Sequence, residues 1–340
     1  LPNILAGTVV LSVLGLLIVW IKRRPLEPPS PNRPRRLLDA RIILTMLGAS
    51  LALVWLTTAY WPFIHYDTLW VYGYQGKLYA LNGYIPQSIG YYPPFMALQY
   101  TYAQLAAGLG LDDHAARAVI FPLYIGSILM TYALGARLFN RRTGLFAAAL
   151  WGLYPHVAQW GSVGDLEIPQ TFMFTGAATF FLMGWTALGR RDRLVYGALG
   201  GVFLGIAMWT KPTAGAFILG VVLLVALDLL RVRFDWRRWL PRFEVAFAAG
   251  VACIPLGAAW YVRNLLLGHD PITLPNEFWL TQAMRSGQEF GWGVLALALV
   301  TLWALFGPLK HRPDWRLLLV GGAVITAALL PTTLAPRRMT

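Results

Sequence analysis

Long uncharged, apolar runs recur along the chain and are separated by short polar segments. A membrane-spanning helix needs about 20 largely apolar residues. Ten runs reach or approach this length, so the pattern predicts ten transmembrane helices. The runs cover residues 1–21, 42–66, 118–136, 143–164, 168–189, 194–210, 212–227, 245–262, 290–309 and 317–336. The two shortest predict a tilted hairpin that turns at Lys211 and Pro212.

The amino-acid composition agrees with a membrane protein. Hydrophobic residues make up 57% of the 340 residues and charged residues only 13%. Soluble domains carry roughly 25% charged residues. We therefore predict an all-α integral membrane protein.

The net charge of +13 would suggest nucleic-acid binding in a soluble protein. Most of the Lys and Arg residues, however, fall in alternate loops between the predicted spans, and such loops are cytoplasmic in membrane proteins. The charge therefore indicates orientation, and no nucleic-acid partner is expected. We predict a multi-pass protein of the inner (cytoplasmic) membrane with its active site on the periplasmic or extracellular side. The basic loops are 22–41, 137–142, 190–193, 231–242 and 310–316.

The first long external segment, 63–117, is rich in aromatic residues and poor in charge. Tyr and Trp prefer the membrane–water interface, so this segment predicts helices that lie along the membrane surface. One helix is expected to start with Asp67 as its N-cap, run to Asn82 and stop at Gly83. A second is expected to start after Pro94.

These features divide the chain into three parts. Residues 1–41 are expected to form an additional N-terminal span and a basic, non-helical cytoplasmic linker, 22–41. Residues 42–264 are expected to form the membrane core that carries external loop 63–117. Residues 265–340 are expected to form an external loop and two further spans, with the C-terminal end incomplete.

A few charged residues next to the external ends of the predicted spans are candidates for chemistry. Asp67 and Asp165 each have two possible roles. Either carboxylate could stabilise the start of a helix. Alternatively, it could act as a general base, since a carboxylate beside a cleft can accept a proton. Lys211 and Arg263 either extend to lipid headgroups or bind a substrate phosphate. The histidines have no spacing that defines a metal motif.

Six segments occur in a characteristic order in this part of the chain. They are HYDTLWVYGYQGKLY, YYPPF, LGARLFNRRTG, GSVGDLEIPQTF, GIAMWTKPTAG and AAWYVRN. With this topology the chain resembles the GT-C superfamily of polytopic glycosyltransferases, in the branch of protein O-mannosyltransferases and lipid A aminoarabinose transferases. The resemblance covers roughly residues 42–264. It implies a GT-C fold and transfer of a sugar from a polyprenyl-phosphate donor on the outer face of the membrane.

The resemblance also implies roles for individual residues. The catalytic carboxylate of the first loop corresponds to Asp67 and the second acidic site to Asp165. A sugar phosphate already has a good leaving group, so the reaction needs a base for the acceptor and cations for the departing phosphate. We expect Asp67 to be the base and Asp165 to orient the acceptor or the basic groups. The donor phosphate is expected to face Lys211, Arg263 and Lys77, and the rest of the site lining is expected to be Glu167, His65, Tyr66 and Tyr92.

Cofactors and partners follow from the same resemblance. No cofactor is required, but a divalent metal between Asp67 and Asp165 stays open because some branches of the superfamily use one. The expected partners are a polyprenyl-phosphate sugar, membrane lipid, a protein or glycolipid acceptor, and other membrane proteins.

Two other functions compete with the enzyme. Relatives often have a second acid where this chain has Thr68, which leaves open a non-catalytic GT-C-like subunit of a larger membrane complex. A transporter of lipid-linked sugars is the other alternative. It is disfavoured because transporters tend to place charged groups and repeats at the middle of the bilayer, and the centres of these spans are nearly free of charge.

Overall fold

The computed structural model describes residues 35–90, 92–108, 111–231 and 233–271, together with residues 281 and 284. The chain divides into two compact units, Leu1–Ile272 and Thr273–Thr340, and the description that follows concerns the first. The predicted spans 1–21, 290–309 and 317–336 lie outside the described residues.

Every regular element of the described residues is helical, which confirms the all-α fold class. A π-helical turn, Thr68–Tyr72, leads directly into the helix Gly73–Asn82, and a 3₁₀ turn, Pro212–Ala214, joins the helices Arg190–Thr210 and Gly215–Arg231. The helices are α1 Arg35–Tyr60, α2 Gly73–Asn82, α3 Phe95–Ala106, α4 Asp113–Arg117, α5 Ile120–Leu138, α6 Arg141–Leu153, α7 Pro155–Val163, α8 Glu167–Trp185, α9 Arg190–Thr210, α10 Gly215–Arg231, α11 Trp236–Gly257 and α12 Ala259–Leu266.

Four helical stretches in the described residues are long and apolar enough to cross a membrane. They agree with a multi-pass membrane protein, whereas the total of ten spans stays a prediction. These stretches are Ala40–Tyr60, Asp113–Leu138, Arg190–Thr210 and Trp236–Gly257.

Two predicted boundaries are wrong, and proline explains both. The predicted single span 143–164 is broken into α6 and α7 because Tyr154 is extended, with ψ 119°. A residue before proline avoids the helical conformation, and Pro155 follows. The predicted non-helical linker 22–41 is too long, since α1 already begins at Arg35, directly after the last proline of that segment.

The surface segment forms both of the expected helices. α2 ends at Asn82, and Gly83 follows in the left-handed conformation with φ +74°. α3 begins at Phe95, after Pro94. The N-cap prediction for Asp67 is wrong, because its backbone is already helical and its side chain makes no capping hydrogen bond. Its carboxylate is therefore not used by the helix start.

Buried aromatic and aliphatic side chains hold the surface helices against the ends of α5, α7 and α8. Tyr100 of α3, Tyr124 of α5 and Leu166 before α8 belong to one buried cluster. Elsewhere α9 packs closely against α11, where a Cβ at Gly201 would lie 2.1 Å from the carbonyl oxygen of Ala249. Backbones can approach this closely only where glycine provides no side chain.

Candidate functional site

Two turns at one end of the bundle bring three predicted site residues together. His65 and Asp67 follow α1, and Asp165 lies between α7 and α8. The Nδ1 atom of His65 lies 2.8 Å from Oδ2 of Asp165. One nitrogen or oxygen atom from each of the three side chains lies within 4.8 Å of the others. Residues nearly 100 positions apart in sequence thus form one polar cluster.

The position of Asp165 depends on the glycine before it. Gly164 ends α7 in the left-handed conformation, with φ +91°. A Cβ at Gly164 would lie 2.9 Å from the ring of Phe63. A glycine is therefore favoured on both conformational and steric grounds, and the turn that it allows brings Asp165 into the cluster.

The two aspartates differ in environment. Asp165 is buried, with 3% of its surface exposed, whereas Asp67 is exposed. Burial and the nearby Glu167 and Asp67 carboxylates raise the pKa of Asp165 to about 6, although His65 and Lys211 act in the opposite direction. Burial is the largest of these effects, since it disfavours the charged form.

Glu167 and Lys211 form an ion pair beside this cluster. The Nζ atom of Lys211 lies 3.4 Å from Oε1 of Glu167. Glu167 is the first residue of α8, and Lys211 directly follows the last residue of α9. The structure thus brings a cation expected at the donor phosphate next to the acidic residues.

The two other basic candidates have other contacts. The Nζ atom of Lys77 lies 2.7 Å from Oδ1 of Asp113. Arg263 donates hydrogen bonds to the carbonyl oxygens of Pro86, at 2.9 Å, and Ile89, at 3.0 Å. These contacts hold the surface segment in place, and a role of either side chain at a phosphate stays a prediction.

The two aromatic candidates, Tyr66 and Tyr92, differ in exposure and in their ring contacts. Tyr66 is largely exposed, and its ring centroid lies 6.5 Å from that of Trp70. The ring of Tyr92 packs 5.5 Å from that of Tyr72, a residue that the sequence analysis did not select. Burial, Tyr92 and nearby carboxylates raise the pKa of Tyr72 well above its ordinary value. Tyr72 is therefore a neutral hydroxyl close to the acids.

Trp160 is a second residue that the sequence analysis missed. Its ring centroid lies 5.2 Å from that of His65, in an edge-to-face arrangement. Its indole N–H donates a hydrogen bond to Nε2 of His156 at 2.9 Å. Both missed residues could have been selected by their closeness in sequence to the candidate aspartates. Trp160 lies five residues before Asp165, and Tyr72 lies five residues after Asp67.

Side chains of α5, α6, α7 and α8 line a groove of about 660 Å³. Most of its lining is apolar, as at Leu150 and Trp151. Trp160 and Glu167 also line it. Trp160 packs against His65, and Glu167 is close enough to Asp165 to raise the pKa of that carboxyl. The groove therefore borders the polar cluster.

The three clustered side chains fit a divalent cation. One imidazole and two carboxylates are donors that such metals accept, and the exposed Asp67 leaves one side accessible. His65, Asp67 and Asp165 would be the ligands. From the sequence, a divalent metal between Asp67 and Asp165 is possible, but no ligand set is defined.

Comparison with known proteins gives one family match. Residues 93–260 match the family model described as dolichyl-phosphate-mannose-protein mannosyltransferase. The match supports a glycosyltransferase of the GT-C superfamily. The matched segment includes Asp165, Glu167 and Lys211, whereas His65 and Asp67 precede it. The match therefore supports glycosyl transfer as the class of reaction.

A solved structure similar to the chain is the crystal structure of the Archaeoglobus fulgidus oligosaccharyltransferase in the apo form. The TM-score is 0.48 and the sequence identity 18%, and the match covers 88% of this chain. The chain spans 40% of the length of that oligosaccharyltransferase chain. No curated protein matches the sequence.

Proposed function

We propose that the protein transfers a sugar from a polyprenyl-phosphate donor to a hydroxyl or amine of a protein or glycolipid acceptor, on the outer face of the cytoplasmic membrane. One observation carries the proposal. An exposed carboxylate, Asp67, lies beside the half-buried His65 and the buried Asp165, and Trp160 and Glu167 connect this cluster to a largely apolar groove.

The difference in burial supports separate roles for the two aspartates. Asp67 is exposed and makes no capping bond, so it is available to accept a proton from an acceptor group. Asp165 is buried and contacts His65, which suits a residue that holds the site together. Transfer requires an acceptor oxygen or nitrogen to bond to the anomeric carbon while the bond from that carbon to the phosphate oxygen breaks. The acceptor proton passes to Asp67, and the phosphate leaves as an anion beside Lys211.

The groove supports a lipid-linked donor. Thr131, which lines it, lies about 16 Å along α5 from the start of that helix, at 1.5 Å per residue. An apolar chain lying in this groove would hold its phosphate near the Glu167–Lys211 pair. A divalent cation held by His65, Asp67 and Asp165 would neutralise developing phosphate charge. The outer-face assignment rests on the distribution of basic loops.

The test is a transfer assay with the purified full chain in liposomes. Labelled polyprenyl-phosphate mannose is the donor, and a Ser/Thr peptide or a lipid A glycolipid is the acceptor. Asp67→Asn is expected to slow transfer by about 10²- to 10⁴-fold, because it removes the base. The matched control is Asp192→Asn, which removes an exposed acid at the start of α9.

Equal activity of Asp67→Asn and wild type would contradict the role of Asp67 as base. Absence of transfer by the wild-type chain with every donor and acceptor would instead favour the non-catalytic subunit.

A further inference from the structure

Three consecutive backbone carbonyls at the end of α7 each accept a hydrogen bond from a side chain of another element. The last carbonyls of a helix have no partner within the helix and need one elsewhere. Here the donors come from α4, from the π-helical turn and from α3. Arg117 Nε donates to Ser162, Thr68 Oγ1 to Val163 at 3.3 Å, and Tyr100 Oη to Gly164.

All three donors are buried. The exposed fraction of the residue is 1% for Arg117 and zero for Thr68 and Tyr100. Asp165 follows the third of these carbonyls directly, so no flexible segment separates it from the contacts. A shift of the backbone at Gly164 would therefore displace the Asp165 carboxylate.

Arg117 also contacts the other half of the site. Its Nη1 donates to the carbonyl oxygens of Trp61, at 2.7 Å, and Pro62, at 2.8 Å. These residues lead into the turn that carries His65 and Asp67. One guanidinium thus joins the chain before His65 to the chain before Asp165.

We propose that Thr68, Tyr100 and Arg117 are positioning residues that fix Asp165 relative to His65 and Asp67. The inference rests on the proposed function, because position matters only if the cluster performs chemistry. Burying an arginine against neutral carbonyls is costly, and a neutral donor could cap a helix end with a smaller desolvation penalty. The planar guanidinium, however, is suited to donate to two segments at once in a fixed geometry.

Isosteric variants test the proposal with little loss of packing. Tyr100→Phe and Thr68→Val each remove one hydroxyl group. Because a 1 Å displacement of a reacting group can cost about 100-fold in rate, we expect kcat to fall by about 10- to 100-fold, with KM changing by less than about threefold. Thr68→Ser retains the hydroxyl and is expected to restore kcat to within about threefold of wild type.

Tyr124→Phe is the matched control. Tyr124 is also fully buried in the same cluster, and its hydroxyl donates to the carbonyl oxygen of Gly152 at 2.8 Å. Each Tyr→Phe change is expected to lower the thermal unfolding midpoint by about the same amount, because each removes one buried hydrogen bond. Only Tyr100→Phe is expected to lower kcat. Equal kcat for the two variants, or no recovery with Thr68→Ser, would overturn the proposal.

A second measurement does not depend on activity. Hydrogen exchange followed by mass spectrometry is expected to show faster exchange in peptides covering 162–168 and 63–69 for Tyr100→Phe and Thr68→Val, but not for Tyr124→Phe. Unchanged exchange in these peptides would reject the positioning role. If the wild type shows no transfer while the exchange differences appear, the proposed function fails and the positioning contacts stand.

Discussion

Charged residues are arranged differently at the two ends of the helical bundle. At the end away from the candidate site, Glu244 of α11 lies between two arginines of α9, 3.0 Å from Arg190 and 2.9 Å from Arg193. Asp228 of α10 lies 2.9 Å from Arg242 of α11. Each of these acids contacts at least one arginine, and each pair joins two helices.

At the site end, charges of the same sign lie together. Asp165 contacts His65, and Asp67 has an oxygen within 4.8 Å of both. Glu167 lies near Asp165 and 3.4 Å from Lys211. Burial and then the neighbouring carboxylates raise the pKa of Asp165, because both disfavour its charged form in the folded protein. Helix packing explains the ion pairs of the far end, whereas a buried carboxyl group with a raised pKa beside other charged groups is typical of functional sites.

The largest expected effect comes from making the same acid-to-amide change at each end of the bundle. Asp165→Asn should lower the rate of transfer by about 10²-fold or more, because it removes the partner of His65. Glu244→Gln, which makes the same chemical change at the other end, should leave kcat within about twofold of wild type. The measurement is steady-state transfer in liposomes. Similar losses in both variants would show that the two ends do not differ in function.

The second effect concerns pH. Since the folded pKa of Asp165 is about 6 and the ordinary value is 3.8, the folded protein binds more protons than the unfolded chain between these pH values. The contribution of Asp165 to stability should therefore be largest below about pH 4 and fall by about 3 kcal/mol as pH rises to about 6. Asp165→Asn should lack this fall.

Thermal unfolding of both proteins in the same detergent, with a chelator present and at pH 4 to 7, checks this prediction. The quantity compared is the slope of stability against pH. Parallel curves for wild type and Asp165→Asn would contradict the raised pKa.

Much of the fold followed from the sequence, because spans, prolines and glycines act locally. The end of α2 at Gly83 and the start of α3 after Pro94 are examples, as is the turn at Lys211. The break at Pro155 was missed because the apolar run continues across it. The helix is interrupted only because Tyr154 precedes a proline and therefore adopts an extended backbone conformation.

The site was less predictable. Asp67, Asp165 and Lys211 were found because charges beside membrane spans are unusual. The contacts of Lys77 with Asp113 and of Arg263 with Pro86 depend on how distant segments fold together, which hydrophobic periodicity does not specify. Tyr72 and Trp160 were missed for the same reason, since aromatic residues are abundant throughout the first external segment and the spans.

The third effect is on stability at the far end. Glu244→Gln leaves Arg193 without its charged partner, and both side chains are only 14% exposed. The expected loss is about 2 kcal/mol, between the values for exposed and for fully buried pairs. A lower thermal midpoint with unchanged kcat would confirm a purely structural role, whereas an unchanged midpoint would mean that this end is not stabilised by its ion pairs.

The smallest expected effect concerns Lys211, which forms an ion pair with Glu167 beside the acidic cluster. Lys211→Met retains the aliphatic part of the side chain but removes the charge that would attract a donor phosphate. We expect KM for the polyprenyl-phosphate sugar to rise by about tenfold, as for the loss of one charged hydrogen bond, with a smaller change in kcat. Glu167→Gln is the control, because it breaks the same ion pair while leaving Lys211 charged. If both variants raise KM equally, the ion pair between Glu167 and Lys211 contributes to donor binding, and the positive charge of Lys211 has no separate effect on the donor phosphate. If only Lys211→Met raises it, the lysine acts on the donor phosphate.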